Sequence, residues 1–165
     1  MQKNVKPIPE GYHAITPGLV IKDGARAIEF YKKAFNAREL YRMPAPDGSI
    51  MHAELQIGDS KFMIGTEMQE HPGHDRNCAQ SPLDAKANTM SLYLYVQDCD
   101  ATVKNAVSAG AEAIGKMEDM FWGDRLGNLR DPFGYLWTVA THKVEVTPEQ
   151  MKEKAKEFFA KAAAH

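Results

Sequence analysis

Apolar and polar side chains alternate strictly over residues 51–57: Met51, Ala53, Leu55 and Ile57 against His52, Glu54 and Gln56. A period of two predicts a half-buried strand over 50–57, with the apolar set toward a core and the polar set on the opposite face. Upstream the period changes. Ala27, Ile28, Tyr31, Ala34 and Phe35 recur at helical spacing, and Asp23 stands where an N-cap carboxylate accepts free first-turn N–H groups. His13–Ile21, Glu39–Met43 and Lys61–Gly65 read as further strands. Pro46-Asp47-Gly48 and Gly58-Asp59 supply turns between them.

The same grammar returns later. Leu92, Leu94 and Val96 alternate with Ser91, Tyr93 and Tyr95. Asp98 or Asp100 caps a helix whose Val103, Ala106 and Val107 face the sheet, and Gly110 stops it. Strands follow at 112–118, 125–130 and 135–141, the last entered through Asp131-Pro132-Phe133-Gly134. Thr147-Pro148-Glu149-Gln150 opens a terminal helix over 147–164, with Thr as N-cap, Pro at the first helical position and Gln completing a capping box. Met151, Ala155, Phe158, Phe159 and Ala162 line one side of it, a stripe that requires a packing partner.

The two halves are related by an offset of 75 residues. Leu19-Val20-Ile21-Lys22-Asp23 reads again as Leu94-Tyr95-Val96-Gln97-Asp98, Thr16 falls on Ser91, and Met63 falls on Thr138. A long period seen twice reads as a duplicated module rather than a solenoid. Two units side by side would form a pseudo-symmetric sheet with a cleft between them. The boundaries are 13–66 for the first unit, 67–89 for a polar linker able to cover the cleft, and 90–142 for the second, all in one domain.

Composition narrows the partners. The chain has 165 residues and a net charge of −2, so no basic stripe invites nucleic acid or an anionic membrane. A chain of this length buries roughly 70% of its unfolded surface and needs no disulfide or metal to fold. Cys78 and Cys99 are far apart, which suits a reducing cytoplasm. Residues 1–9 are polar and no apolar run reaches the ~18 residues of a membrane span.

With these residues in view, the chain resembles the vicinal-oxygen-chelate superfamily of glyoxalase I, extradiol dioxygenases, and fosfomycin- and bleomycin-resistance proteins, and within it the PhnB-like branch. The resemblance rests on Thr16–Asp23, on Ala27–Phe35, on Tyr93–Asp98 and on Asp131–Trp137, and covers about residues 13–142. It implies an α+β fold of two βαβββ modules forming a cupped mixed sheet, here with a C-terminal helix, in a homodimer. It also implies one divalent metal held by His, Gln or Glu from four strands. The positions that align with those ligands are Thr16, Met63, Ser91 and Thr138. Hydroxyls bind divalent metals poorly and a thioether prefers soft ions, so no metal or other cofactor is expected.

Alternation suggests what fills the cup instead. Thr16, Ser91 and Thr138 bring Tyr93 and Tyr95 with them, His52 and Glu54 join from the third strand, and Phe121 to Arg125 supply a rim through Trp122 and Arg125. Aromatic and apolar walls with a few polar groups suit a small organic ligand. Each piece also has a plainer role: His52 and Glu54 as a surface pair, the tyrosines as packing, Trp122 and Arg125 as a dimer contact. His71, His74 and Asp75 have metal-like spacing in the linker, and His13 and His142 sit at strand ends. Two functions follow. One is a metal-free cup that holds a small molecule. The other is a glyoxalase-type lyase, isomerase or dioxygenase with a divalent metal on His52 and Glu54, or a metal-free catalyst with His52 as general base.

Overall fold

The structure, a computed structural model, describes residues 6–66 and 80–162. It divides into two compact units between Ala87 and Asn88. The first contains β1 (Gly18–Val20), α1 (Gly24–Phe35), β2 (Arg38–Pro44), β3 (Ile50–Ile57), β4 (Ser60–Gly65) and a short α2 (Pro82–Ala85). The second contains β5 (Ser91–Tyr95), α3 (Cys99–Ser108), β6 (Glu112–Asp119), β7 (Asp124–Arg130), β8 (Leu136–His142) and α4 (Pro148–Ala162).

Each unit builds one four-stranded mixed sheet, in the orders β1-β4-β3-β2 and β5-β8-β7-β6. The outer pairs β1–β4 and β5–β8 are parallel and the rest are antiparallel. The 75-residue repeat is visible in register: Gly18 pairs with Met63, and 75 residues on Tyr93 pairs with Thr138. The chain is thus α+β with the βαβββ order written twice.

The helices form where the capping and apolar spacing predict. Asp23 accepts from the Arg26 N–H at 3.0 Å, and α1 buries Ala27, Ile28, Tyr31, Ala34 and Phe35. These pack on the β3 face made by Ala53, Leu55 and Ile57, which is also buried. At the second helix Asp98 is the cap, accepting from Ala101 N–H at 2.9 Å; Asp100 instead binds Arg125. The Asp131–Gly134 turn closes as expected, with Gly134 at φ +89°, a conformation glycine adopts without steric cost.

Several expectations change. The first strand covers three residues instead of 13–21, because Pro17 has no N–H to give a ladder and only its carbonyl pairs, with Met63 N–H at 2.9 Å. Met51 is exposed and Ile50 takes its place in the core, because a register shift between Met43 and Pro44 displaces the end of the β2–β3 ladder. Val107 is exposed while Val103 and Ala106 face the sheet. Part of the expected linker is helical: Ser81 caps α2, and Lys22 Nζ reaches Asp84 at 2.5 Å. His71, His74, Asp75 and Cys78 lie outside the described residues. On α4 the capping box forms between Thr147 and Gln150, Met151 and Ala155 are half-buried, and Phe158 rests on Phe121 with ring centroids 5.3 Å apart. Among the described residues no helix is long and apolar enough to cross a membrane.

Candidate functional site

Each sheet has a face turned away from its helix, and those faces carry most of the residues singled out above. In the first unit, β3 alternation puts His52 and Glu54 on that face, with Met63 of β4 and Tyr41 of β2 directly opposite Glu54. Residues ahead of β1 pass over it. Gly11 turns at φ +76°, and Lys61 Nζ donates to the Glu10 carbonyl at 3.1 Å while lying 4.1 Å from the Tyr12 ring centroid. Here the surface forms an open pocket of about 400 Å³ lined by Ile8, Pro9, Tyr12, Thr16, Glu54 and Met63, among others.

Glu54 is the polar centre of this cavity. Its Oε2 accepts from the Tyr12 hydroxyl, and its Oε1 lies 3.5 Å from His52 Nε2. The hydrogen bond to Glu54, then burial, then the nearby charge push the Tyr12 hydroxyl up to about 12. Tyr12 is therefore a neutral donor at any physiological pH. Thr16 donates its hydroxyl to the His13 carbonyl at 3.2 Å.

In the second unit a buried carboxylate organises the open face. Asp124, only 3% exposed, opens β7 directly across from His142 at the end of β8. Its Oδ2 accepts from the hydroxyls of Tyr93 and Tyr95, both at 2.9 Å, and from Trp122 Nε1 at 3.1 Å. Its Oδ1 lies 2.8 Å from His142 Nδ1. Burial works to raise the Asp124 carboxyl, but the hydrogen bonds from His142, Tyr95, Tyr93 and Trp122 outweigh it, and the group ends below the ordinary carboxylate value. Burial and the Asp124 bond raise the Tyr93 hydroxyl; the Asp124 bond, then burial, raise that of Tyr95. His142 is raised above the ordinary imidazole value, first by its bond to Asp124, with burial opposing and Glu145 adding.

These shifts have opposite signs for stability. His142, raised on folding, stabilises the fold fully below its unfolded value of about 6.5 and loses that contribution as pH climbs through its folded value. Asp124, lowered on folding, stabilises above its unfolded value of about 3.9 and loses its contribution as pH falls through the folded one. Urea midpoints are thus expected to decline on both sides of a weakly acidic optimum, and His142→Asn is expected to flatten the alkaline limb. An alkaline limb unchanged in that variant would detach it from His142.

Of the residues selected from sequence, the structure groups Thr16, Glu54 and Met63 around one cavity with His52 beside Glu54, and groups Tyr93, Tyr95 and Trp122 around Asp124. Thr138 donates its hydroxyl to Asn128 Oδ1 at 2.8 Å, and Ser91 is exposed at the start of β5. Arg125 stands apart. As the neighbour of Asp124 on β7 it takes the helix side of the sheet, binding Asp100 through Nε and Nη2 at 2.7 and 2.8 Å and Asp119 at 3.2 Å.

The sequence reading assigned no site role to three residues of these clusters: Tyr12 was not singled out, Asp124 appeared only within the rim segment, and His142 was noted only at a strand end. Tyr12 lies in an irregular segment with no periodicity to assign it. Asp124 and His142 were legible: alternation from Leu126 and from Thr138 through Ala140 puts both on the same face.

A divalent metal does not fit the aligned positions. Thr16, Thr138 and Ser91 offer only neutral hydroxyl oxygens and Met63 a thioether, all weak ligands for a hard or borderline divalent ion. His52 and Glu54 provide two donors, and the neighbouring Tyr12 hydroxyl keeps its proton. Among the described residues no group of three His, Cys, Asp or Glu stands close enough to hold a metal ion.

Comparison with known proteins agrees with the architecture. The family model for the Glyoxalase/Bleomycin resistance protein/Dioxygenase superfamily matches residues 12–139. An uncharacterised protein of Mycobacterium bovis is 36% identical over 152 residues, covering 92% of this chain and 94% of its own. The crystal structure of TioX from Micromonospora sp. ML1 is similar at 27% identity and a TM-score of 0.62, over 79% of this chain and 98% of that one. The PhnB protein of Bacillus cereus shares the fold at 19% identity and a TM-score of 0.58, over 78% and 99% of the two chains.

Proposed function

Since the chain belongs to the glyoxalase/bleomycin resistance protein/dioxygenase superfamily, we propose that it binds a small organic molecule without the family's usual metal. The observation that carries this reading is the cavity of about 400 Å³ beside Glu54, within the size range of ligand pockets. Its walls are apolar at Ile8, Pro9 and Met63, and its polar groups converge on one carboxylate. That chemistry selects a compact, largely apolar ligand whose donor or positive charge meets Glu54. Thr16, Met63, Tyr12 and His52 complete the contacts. On the second unit the exposed rings of Tyr93 and Tyr95, with Trp122 behind them, offer a further aromatic surface, and Ser91 and Thr138 flank it. The family resemblance adds a homodimer to the proposal.

Native mass spectrometry of the protein as purified reads the assembly and any retained organic mass directly. Ligand-observed NMR with one- and two-ring aromatics bearing ammonium, neutral or carboxylate groups then tests the pocket. The ammonium series is expected to bind tightest. Glu54→Gln, which keeps the shape and the acceptor for Tyr12, is expected to weaken it about tenfold, the difference between a charged and a neutral partner. Equal affinities for the three series, or a folded Glu54→Gln protein with unchanged affinity, would remove Glu54 from the site.

A further inference from the structure

The second unit contains a buried acid that the pocket around Glu54 does not use. A carboxylate withdrawn from water is costly unless both oxygens are satisfied. Asp124 meets that condition with side chains that reach the surface: two tyrosines, a tryptophan and a histidine. Its bonds hold those side chains by their polar edges, and the two tyrosine rings remain exposed. Tyr93 is 47% and Tyr95 60% exposed, with ring centroids 5.0 Å apart.

The geometry also sorts the two nitrogens of His142. Asp124 Oδ1 lies against Nδ1, so the carboxylate holds the proton there. Nε2 is turned outward and faces Glu145, 3.4 Å away, whose side chain is 97% exposed and can swing into water. An oriented imidazole with a carboxylate behind it and a displaceable carboxylate in front is built to exchange a proton at Nε2.

We infer that Asp124 and His142 form a proton-exchanging dyad which, with the tyrosine rings, takes a weakly acidic aromatic ligand of the phenol or enol class. This inference rests on the proposed reading that the open face of the second unit accepts a ligand. The ligand ring stacks on Tyr93 or Tyr95. Its O–H bond breaks, the proton passes to Nε2, and the electron pair stays on the ligand oxygen. The result is an imidazolium between Asp124 and the ligand anion, with Glu145 displaced. Asp124 and Glu145 are the acids that face His142. The Tyr93 and Tyr95 hydroxyls stay protonated and donate to Asp124.

Two probes separate this step from binding itself: 4-nitrophenol, and 4-nitroanisole, which has the same ring and no exchangeable proton. Both are expected to bind, and bound nitrophenol is expected to ionise roughly one pH unit below the free compound, a tenfold change in proton affinity. In His142→Asn the ionisation shift of bound nitrophenol is expected to disappear. In the unaltered protein, the His142 ring nitrogen signals are expected to move with nitrophenol and not with nitroanisole. That NMR measurement stands even if the variant fails to fold. Failure of both compounds to bind would overturn this inference together with the ligand face of the second unit. Binding of both with no ionisation shift, a shift that survives in His142→Asn, or unmoved His142 signals would overturn the dyad alone.

Discussion

Asp131→Ala is expected to come close to unfolding the second unit. Asp131 is buried and uses both carboxylate oxygens. Oδ1 accepts from the backbone N–H groups of Phe133 and Tyr135, each at 2.9 Å, and Oδ2 accepts from Trp137 Nε1 at 2.9 Å. All three donors belong to buried residues. Alanine takes this acceptor from all three at once, and a buried donor deprived of its acceptor costs ~1–3 kcal/mol. The costs are not additive, because the turn relaxes as a unit, so the expected loss is ~3–5 kcal/mol, a large share of the stability of a domain this size. Asp131→Asn retains one acceptor oxygen but turns an amide toward one of the donors, and should lose about half as much. Urea unfolding of the two variants reads both numbers. An alanine variant within ~1 kcal/mol of the parent would show that the turn does not depend on this carboxylate.

Gly123→Ala is expected to be comparably severe for a different reason. Gly123 sits at φ +99°, and a Cβ there would lie 1.9 Å from the Val144 carbonyl oxygen. Backbone cannot yield as a flexible side chain can. The loop would have to part from Lys143 and Val144, whose N–H groups donate to the Gly123 carbonyl at 2.9 and 3.1 Å. Strain plus two lost bonds amounts to ~3 kcal/mol or more. The loss reaches the open face as well, because Gly123 aims Asp124 and Lys143 follows His142. Freed from Asp124, Tyr93 and Tyr95 should ionise nearer the ordinary tyrosine value, visible in an ultraviolet titration. Gly115→Ala provides the comparison: it has φ +77° with nothing near its Cβ, so it should cost only ~1 kcal/mol. Equal losses at the two positions would show that backbone strain alone, without the clash, sets the effect.

The residues that organise the candidate sites differ in how legible they were. The Asp131 turn and the α1 stripe follow from neighbours in the chain, so local pattern identifies them. His52, Glu54, Tyr93 and Tyr95 were placed on a common kind of face by alternation, since a strand of period two has no other way to distribute its side chains. Asp124 and His142 obey the same rule and could have been added by extending it one step. Arg125 shows its limit, because one residue of displacement along β7 moves a side chain to the opposite face of the sheet.

Sequence alone therefore determined the duplicated βαβββ order, the Asp23 and Thr147 caps and the core face of α1. These rest on period, spacing and side-chain chemistry, all carried by residues close together in the chain. The tertiary structure decided that Tyr12 meets Glu54 across 42 positions, that Asp124 collects Tyr93, Tyr95, Trp122 and His142, and that Ile50 replaces Met51 in the core. Hydrogen-bond partners that converge from different strands and loops leave no periodic trace. Only the path of the folded chain brings them into hydrogen-bond distance of one carboxylate.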